Sequence, residues 1–116
     1  MSGLRQHGGA VDVVLAANVE KDVPVYISGF HGFTLDRGVT GDVIAIDTSE
    51  SIWEFPIGSV TGTLGTTLYI STDGNHTISA SAGANKVPFA KVVKAKNASN
   101  YVWAKQLPQV AVVPTA

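Results

Sequence analysis

The stretch from Thr67 to Ala80, Thr-Leu-Tyr-Ile-Ser-Thr-Asp-Gly-Asn-His-Thr-Ile-Ser-Ala, carries the clearest local signal of the fold. Leu68 and Ile70 alternate with Tyr and Ser, which is the period of a half-buried β-strand. An Asp-Gly pair then interrupts the pattern, and a second strand-like run resumes around Ile78. Because glycine adopts positive φ without steric penalty, Asp-Gly between two such runs predicts a β-hairpin.

The rest of the chain also divides into strand-length pieces bounded by Gly, Pro or polar turns. The Val pair and the proline within residues 86–95 favour a strand there, although a helical face could also be drawn. Pro24 lacks a backbone donor, so its piece should begin a strand or lie at a sheet edge. The apolar run in 42–47 predicts a strand covered on both faces. The predicted pieces are residues 11–17, 23–28, 30–35, 42–47, 51–57, 86–95 and 101–107.

Together these pieces make eight or nine short strands, and 116 residues suit one domain. We therefore predict an all-β fold, a single small β-barrel or β-sandwich of about eight strands, with residues 11–107 as its domain. Residues 1–10 lack periodicity and are interpreted as a flexible N-terminal arm. Residues 108–116 form a C-terminal extension, which is either a frayed end or, through its valines, a strand that could add to a neighbouring chain.

Charge and cysteine content exclude several function classes. The net charge of −1 shows no basic excess that would attract nucleic acid or anionic membrane, so neither is an expected partner. Without cysteine, neither disulfides nor thiolate metal sites can form. No apolar signal segment is visible in residues 1–10, so we expect synthesis in a cytoplasm.

The chain shows no local spacing typical of catalysis or metal binding. Its histidines, His7, His31 and His76, lie in separate segments without metal-ligand spacing. The Gly-rich run 58–65 lacks the lysine of a phosphate-binding loop, and no Gly-x-Ser-x-Gly nucleophile motif occurs. We therefore expect no enzyme activity, no catalytic residue, no metal and no cofactor.

Aromatic side chains are the remaining candidates for binding. Most of the nine alternate with polar residues and should pack in the core, but tryptophan is enriched where protein interfaces are tightest, so the two tryptophans are the candidate anchors. The candidate interface combines them with further aromatics and with residues of both termini: Leu4, Arg5, Phe30, Phe33, Trp53, Trp103, Val110, Val112 and Val113.

The order of the short motifs resembles a family of tailed-bacteriophage capsid decoration, or cement, proteins. Roughly residues 11–107 are covered. The motifs are Asp22-Val-Pro-Val-Tyr-Ile-Ser-Gly-Phe-His-Gly-Phe-Thr-Leu35, Gly41-Asp-Val-Ile-Ala-Ile46, Ile52-Trp-Glu-Phe-Pro56, and Gly65-Thr-Thr-Leu-Tyr69 with its hairpin. Each motif is a weak strand or turn signature, and their succession carries the likeness. The family's usual Gly-Asp before the proline is replaced here by Asp22-Val23.

The resemblance implies a structural protein that binds the outside of a phage head and stabilises it by bridging capsomers. Its implied partners are the major capsid protein and other copies of the chain, as a trimer, and its location is the outer surface of the virion. A different class of function also fits the residues: a surface-displayed binding module, such as an adhesin for a host surface or glycan. A small enzyme would need carboxylates and histidine to converge in a pocket.

Overall fold

The computed structural model describes residues 9–109, which form nine β-strands and no helix. This confirms the all-β prediction. The strands are β1 (Ala10–Val14), β2 (Pro24–Ile27), β3 (Phe30–Thr34), β4 (Val43–Asp47), β5 (Ile52–Pro56), β6 (Thr67–Ser71), β7 (Ile78–Ser79), β8 (Lys86–Lys94) and β9 (Tyr101–Gln106).

The nine strands form two antiparallel sheets. The first sheet has the order β1-β4-β3-β2, and the second has the order β5-β9-β8-β6-β7. The two sheets use separate halves of the chain, because β1 to β4 all precede β5 to β9. Pro24 begins β2 at the edge of the first sheet, where its missing N–H costs no ladder hydrogen bond, as its sequence position predicts.

The hairpin predicted from residues 67–80 is present. In it β6 pairs with β7, with Tyr69 opposite Ser79 and Ile70 opposite Ile78. Gly74 in the connecting loop has a φ of +91°, a conformation that glycine adopts without strain. The piece predicted over residues 86–95 is a strand and not a helix, β8 (Lys86–Lys94), which pairs with both β6 and β9.

The strand that is covered on both faces is β3, and not β4. In β4 the side chain of Val43 is 64% exposed, so the prediction for residues 42–47 is wrong on this point. In β3 four of the five residues are buried, because one of its faces packs on the first sheet's own core while the other faces the second sheet. Gly32 fits there because an added Cβ would lie 2.5 Å from the carbonyl oxygen of Asp47.

Two apolar cores result. The smaller lies within the first sheet and is built from Val13, Leu15, Val25, Ile44 and Ile46. The larger lies on the second sheet and takes in Phe33 from β3, whose ring contacts those of Trp53, Phe55 and Phe89 at centroid distances of 4.4, 5.0 and 5.2 Å. Phe33 therefore joins the two halves through an aromatic cluster.

Residues 1–8 and 110–116 lie outside the described part, and so do most of the predicted N-terminal arm and C-terminal extension. The beginning of the extension is described. The side-chain amide of Gln109 accepts a hydrogen bond from the His31 N–H and donates one to the His31 carbonyl, both at 2.8 Å. Since β4 pairs with β3 only at Phe33 and Thr34, this amide takes the place of a strand partner beside His31. Gln109 is thus part of the folded domain.

Candidate functional site

An exposed face that combines aromatic and basic side chains lies on the outer side of the second sheet. Strand β9 alternates strictly, with Tyr101, Trp103 and Lys105 outside and the residues between them buried. Their cross-strand partners extend the face over β5 and β8. We call it the basic face, and its members are Ile52, Glu54, Pro56, Lys91, Lys94, Tyr101, Trp103 and Lys105.

Trp103 occupies the middle of the basic face and is held in place by two charged neighbours. Its side chain is 42% exposed. The indole Nε1 donates a hydrogen bond of 2.7 Å to Glu54 Oε2, and Lys94 Nζ lies 4.7 Å from the centroid of its ring. A ring fixed in this way loses little conformational entropy when a partner covers it, which favours binding.

The contact between Lys94 and Trp103 depends on an irregularity in β8. Val92 pairs with Ala104, and the next pair is Lys94 with Trp103, so β8 carries one extra residue at this point. Such a bulge redirects the side chains that follow it. Here it leaves both Val93 and Lys94 exposed, and the ammonium group of Lys94 lies over the indole ring.

A second exposed apolar face lies on the first sheet. Val14 and Val43 are register partners on β1 and β4, and their side chains are 60% and 64% exposed. Two residues along each strand, Asp12 pairs with Ala45 on the same side of the sheet. We call this set of four residues the valine face. The two valines together form a small exposed apolar patch at this end of the sheet.

The two faces belong to halves of opposite charge. Residues 9–47, which contain the first sheet, carry six acidic and two basic side chains. Residues 51–109, which contain the second sheet, carry five lysines and two acidic side chains. The net charge of the chain is therefore close to zero because the charges of an acidic half and a basic half nearly cancel.

A buried polar cluster connects the sheets behind these faces. Gln106 Nε2 donates to the carbonyl oxygens of Asp47 and Ser49 at 3.0 and 2.8 Å, which fixes the orientation of the amide. Its Oε1 must then accept, so His31 Nδ1 donates to it at 2.8 Å. Burial lowers the pKa of His31, while the hydrogen bonds to Gln106 and to the Pro108 carbonyl act in the opposite direction. Because the hydrogen bond between His31 and Gln106 joins β3 of the first sheet to β9 of the second, we assign the cluster a structural role.

His76 makes a second connection between the sheets. Its Nδ1 accepts a hydrogen bond of 3.0 Å from the backbone N–H of Tyr26, on the edge strand of the first sheet. Burial lowers the pKa of His76, and the negative charge of Asp73 partly opposes this effect. The hydrogen bond requires Nδ1 to be unprotonated, so it exists only while the ring is neutral.

The candidate residues predicted from the sequence differ in their exposure and in their surroundings. Trp103 is exposed, as an anchor must be. Phe33 is fully buried, so its prediction as an interface residue is wrong: its ring is a core contact between the sheets. Trp53 is half-buried, stacked on Phe33 with its Nε1 donating to Asp47 Oδ2 at 3.0 Å, and Phe30 packs against the first sheet's core. Leu4, Arg5, Val110, Val112 and Val113 lie outside the described residues.

Sequence reasoning missed Glu54 and Lys94 as neighbours of Trp103, and Val14 and Val43 as an exposed pair. The alternation from Ile52 to Pro56 could have identified Glu54, because it puts this residue on the face of β5 that does not carry Trp53 and Phe55. Nothing local indicated that Lys94 would lie over the indole, since that depends on the bulge in β8.

In the described residues, no three His, Cys, Asp or Glu side chains lie close enough together to hold a metal ion. Glu20, Arg37 and Asp42 line an open pocket of about 350 Å³. There Asp42 Oδ2 already accepts a hydrogen bond from the backbone N–H of Val39 at 2.9 Å. Between residues 9 and 109, no helix has the length and apolarity needed to cross a membrane.

No protein-family model matches this sequence, and a search of curated proteins finds no match either.

Proposed function

We propose that this chain is a capsid decoration protein that binds the outer surface of a phage head and bridges neighbouring subunits there. The observation that carries the proposal is that one β domain exposes two separate faces with apolar side chains, one on each sheet. A protein that bridges neighbours needs at least two contact surfaces, and the basic face and the valine face lie on different sheets.

The construction of both faces supports binding to protein. Each has exposed apolar side chains at its centre and charge beside them, the arrangement found where an apolar contact is surrounded by a polar rim. Trp103, clamped by Glu54 and Lys94, has the residue type and the rigidity of an interface hot spot. The order of motifs along residues 11–107 resembles that of decoration proteins, which adds a second, independent line of support.

Cementing also suits the physics of this chain. Many copies on one shell act together, so modest single contacts are multiplied by avidity. The partner in this proposal is the major capsid protein, and the location is the exterior of the virion.

The test is co-sedimentation of the full chain with expanded, DNA-free heads of the phage that encodes it. We expect saturable binding at a fixed number of copies per head, and heads that resist heat better once decorated. Trp103→Ala should weaken binding by about tenfold or more, as expected for a hot-spot residue. Leu64→Ala is the matched control, because Leu64 is 72% exposed but lies on neither face.

Variants lacking residues 1–8 or 110–116 test the two termini in the same assay. If these termini are arms that reach neighbouring subunits, each truncation weakens binding while the isolated domain remains folded. Absence of any binding by the full chain would refute the decoration function, whereas unimpaired binding by both truncated chains would refute only the role of the arms.

The surface-displayed adhesin remains a second candidate because an exposed tryptophan lies beside polar side chains, the arrangement used to stack sugars. Trp103 with Glu54 and Lys94 fits this description. Titration of a glycan panel, followed by tryptophan fluorescence in Trp53→Phe and Trp103→Phe variants, discriminates the two functions. An adhesin requires a ligand-dependent change that persists in Trp53→Phe and disappears in Trp103→Phe.

A further inference from the structure

We propose that His76 is a pH-sensitive connection between the two sheets: when its ring takes up a second proton, the hairpin loop of residues 72–76 separates from the edge strand β2. The separation needs no shell, so it does not depend on the decoration function. Three features of the described residues carry the proposal: the direction of the hydrogen bond at His76, the bonds that hold the loop, and the different surroundings of His31.

The hydrogen bond at His76 exists in only one protonation state. The ring Nδ1 accepts from the backbone N–H of Tyr26 at 3.0 Å, so the neutral ring carries its proton on Nε2. A proton on Nδ1 would set two donors against each other. Acid therefore removes this bond between the loop and β2 instead of weakening it gradually.

The same bond covers the free edge of β2. Within the described residues this strand pairs with β3 alone, and the backbone groups of an antiparallel strand alternate between its two edges. The N–H of Tyr26, which His76 engages, points away from β3, and so does the backbone of Pro24, which has no N–H. Loss of the bond therefore leaves a backbone donor uncovered at a sheet edge.

The hairpin loop is held in shape by bonds that do not involve the ring of His76. At its base, the Ser71 N–H donates to the Thr77 carbonyl at 2.9 Å and the Thr77 N–H donates to Ser71 Oγ at 2.8 Å. Inside it, Asp73 Oδ1 accepts from Ser71 Oγ and from the Asn75 N–H at 2.9 and 3.0 Å. The loop therefore keeps these bonds when the ring is protonated, and the change is confined to the gap between the loop and β2.

The other histidine between the sheets responds differently to a proton. His31 Nδ1 donates to Gln106 Oε1 at 2.8 Å, and the Pro108 carbonyl oxygen lies 3.2 Å from its Nε2. Both ring nitrogens thus face acceptors, so a doubly protonated ring keeps both contacts as hydrogen bonds. Acid breaks the contact of β2 with the loop and leaves β3 attached to the second sheet.

The charges around His76 favour an open state once the ring is protonated. The cleft beside it has a volume of about 280 Å³, and among its described lining residues Tyr26 is the only other titratable one. A phenol is neutral between pH 5 and pH 8. Burial lowers the pKa of His76, and the charge of Asp73 in the loop only partly opposes this effect. A charged ring is therefore better solvated when the cleft is open.

Amide hydrogen exchange, measured by NMR on the full chain from pH 8 to pH 5, tests this proposal. Each rate is compared with that of an unstructured chain at the same pH. The open state binds the proton more readily, so protection of the Tyr26 N–H should fall about tenfold per pH unit below 6.5, the ordinary pKa, and level off below the lowered pKa of the bonded ring. The N–H groups of Gln106 and Val92, bonded to the Ser51 and Thr66 carbonyls, should stay protected.

His76→Asn separates the role of the proton from that of the side chain. The Oδ1 of asparagine takes the place of Nδ1 as acceptor and does not titrate. Asparagine also suits the φ of +53° at this position. In this variant the protection of the Tyr26 N–H should be the same at pH 8 and pH 5. His7→Asn is the matched control, because the same substitution at another histidine should keep the wild-type pH dependence.

Nitrogen NMR of the histidine rings at pH 8 checks the starting state, since the proton of His76 must lie on Nε2. A proton on Nδ1 overturns the proposal. So does protection of the Tyr26 N–H that is independent of pH, that falls equally in His76→Asn, or that becomes independent of pH in His7→Asn. A fall shared with Gln106 and Val92 also overturns it, because that would be global unfolding. These outcomes leave the decoration function standing, since binding to heads has its own assay.

Discussion

Replacement of Phe33 by alanine tests whether this residue belongs to the core, as the structure shows, or to an interface, as the sequence alone indicated. The side chain is completely buried, and three aromatic rings lie within 5.2 Å of its centroid. Truncating a fully buried Phe costs about 3–5 kcal/mol, from lost transfer free energy and the cavity that remains. Lost aromatic pairing adds about 0.5–1.5 kcal/mol for each pair beyond area burial, so we expect the upper part of that range.

The assay is urea unfolding followed by circular dichroism and by tryptophan fluorescence. Trp53 stacks on Phe33 with an angle of 9° between the ring planes, so its emission should respond to the cavity even in the folded variant. Phe30→Ala is the matched control, because the neighbouring ring on the same strand is only half-buried and its loss should cost clearly less.

A loss of less than about 1.5 kcal/mol for Phe33→Ala, or equal losses for the two variants, would contradict the core assignment. A third outcome would also be informative. Since Phe33 joins the halves, two separate unfolding transitions in the variant would show that the sheets can unfold independently once it is gone.

Two further predictions concern the contacts between the sheets. The pKa values of His31 and His76 are lowered in the folded protein, chiefly by burial, so the unfolded chain binds protons more readily. The contribution of the two neutral rings to the free energy of unfolding should therefore be complete above pH 6.5, the ordinary pKa of histidine, and should be lost as the pH drops through the lowered values. Melting temperatures measured from pH 8 to pH 5 test this. The His76→Gln variant should show a smaller fall in melting temperature over the same pH range. Gly32→Ala should destabilise the fold by about 2 kcal/mol or more, because the Cβ of the alanine would overlap the Asp47 carbonyl. Urea unfolding measures this loss, and a variant that unfolds at the same urea concentration as the wild type would refute the close approach.

Local chemistry made much of the fold predictable. Asp-Gly between two strand-like runs predicted the hairpin that β6 and β7 form, because the turn residues and the flanking runs are neighbours in the chain. In Tyr101–Gln106 the period of a strand is readable from the sequence, but the inner side is not, because Tyr101 and Trp103 lie outside while the polar Gln106 is buried.

The all-β class, the strands and the hairpin could therefore be predicted from the sequence, because turn chemistry and the two-residue period act over a few neighbouring residues. The packing of the two sheets sets which strand faces are covered, because an apolar run such as residues 42–47 does not reveal whether another layer lies on both of its sides. It placed Phe33 between the sheets, left Val14 and Val43 exposed together, and brought Lys94 over Trp103 through the bulge in β8. Each of these contacts joins residues that are far apart in the chain or depends on the register between strands.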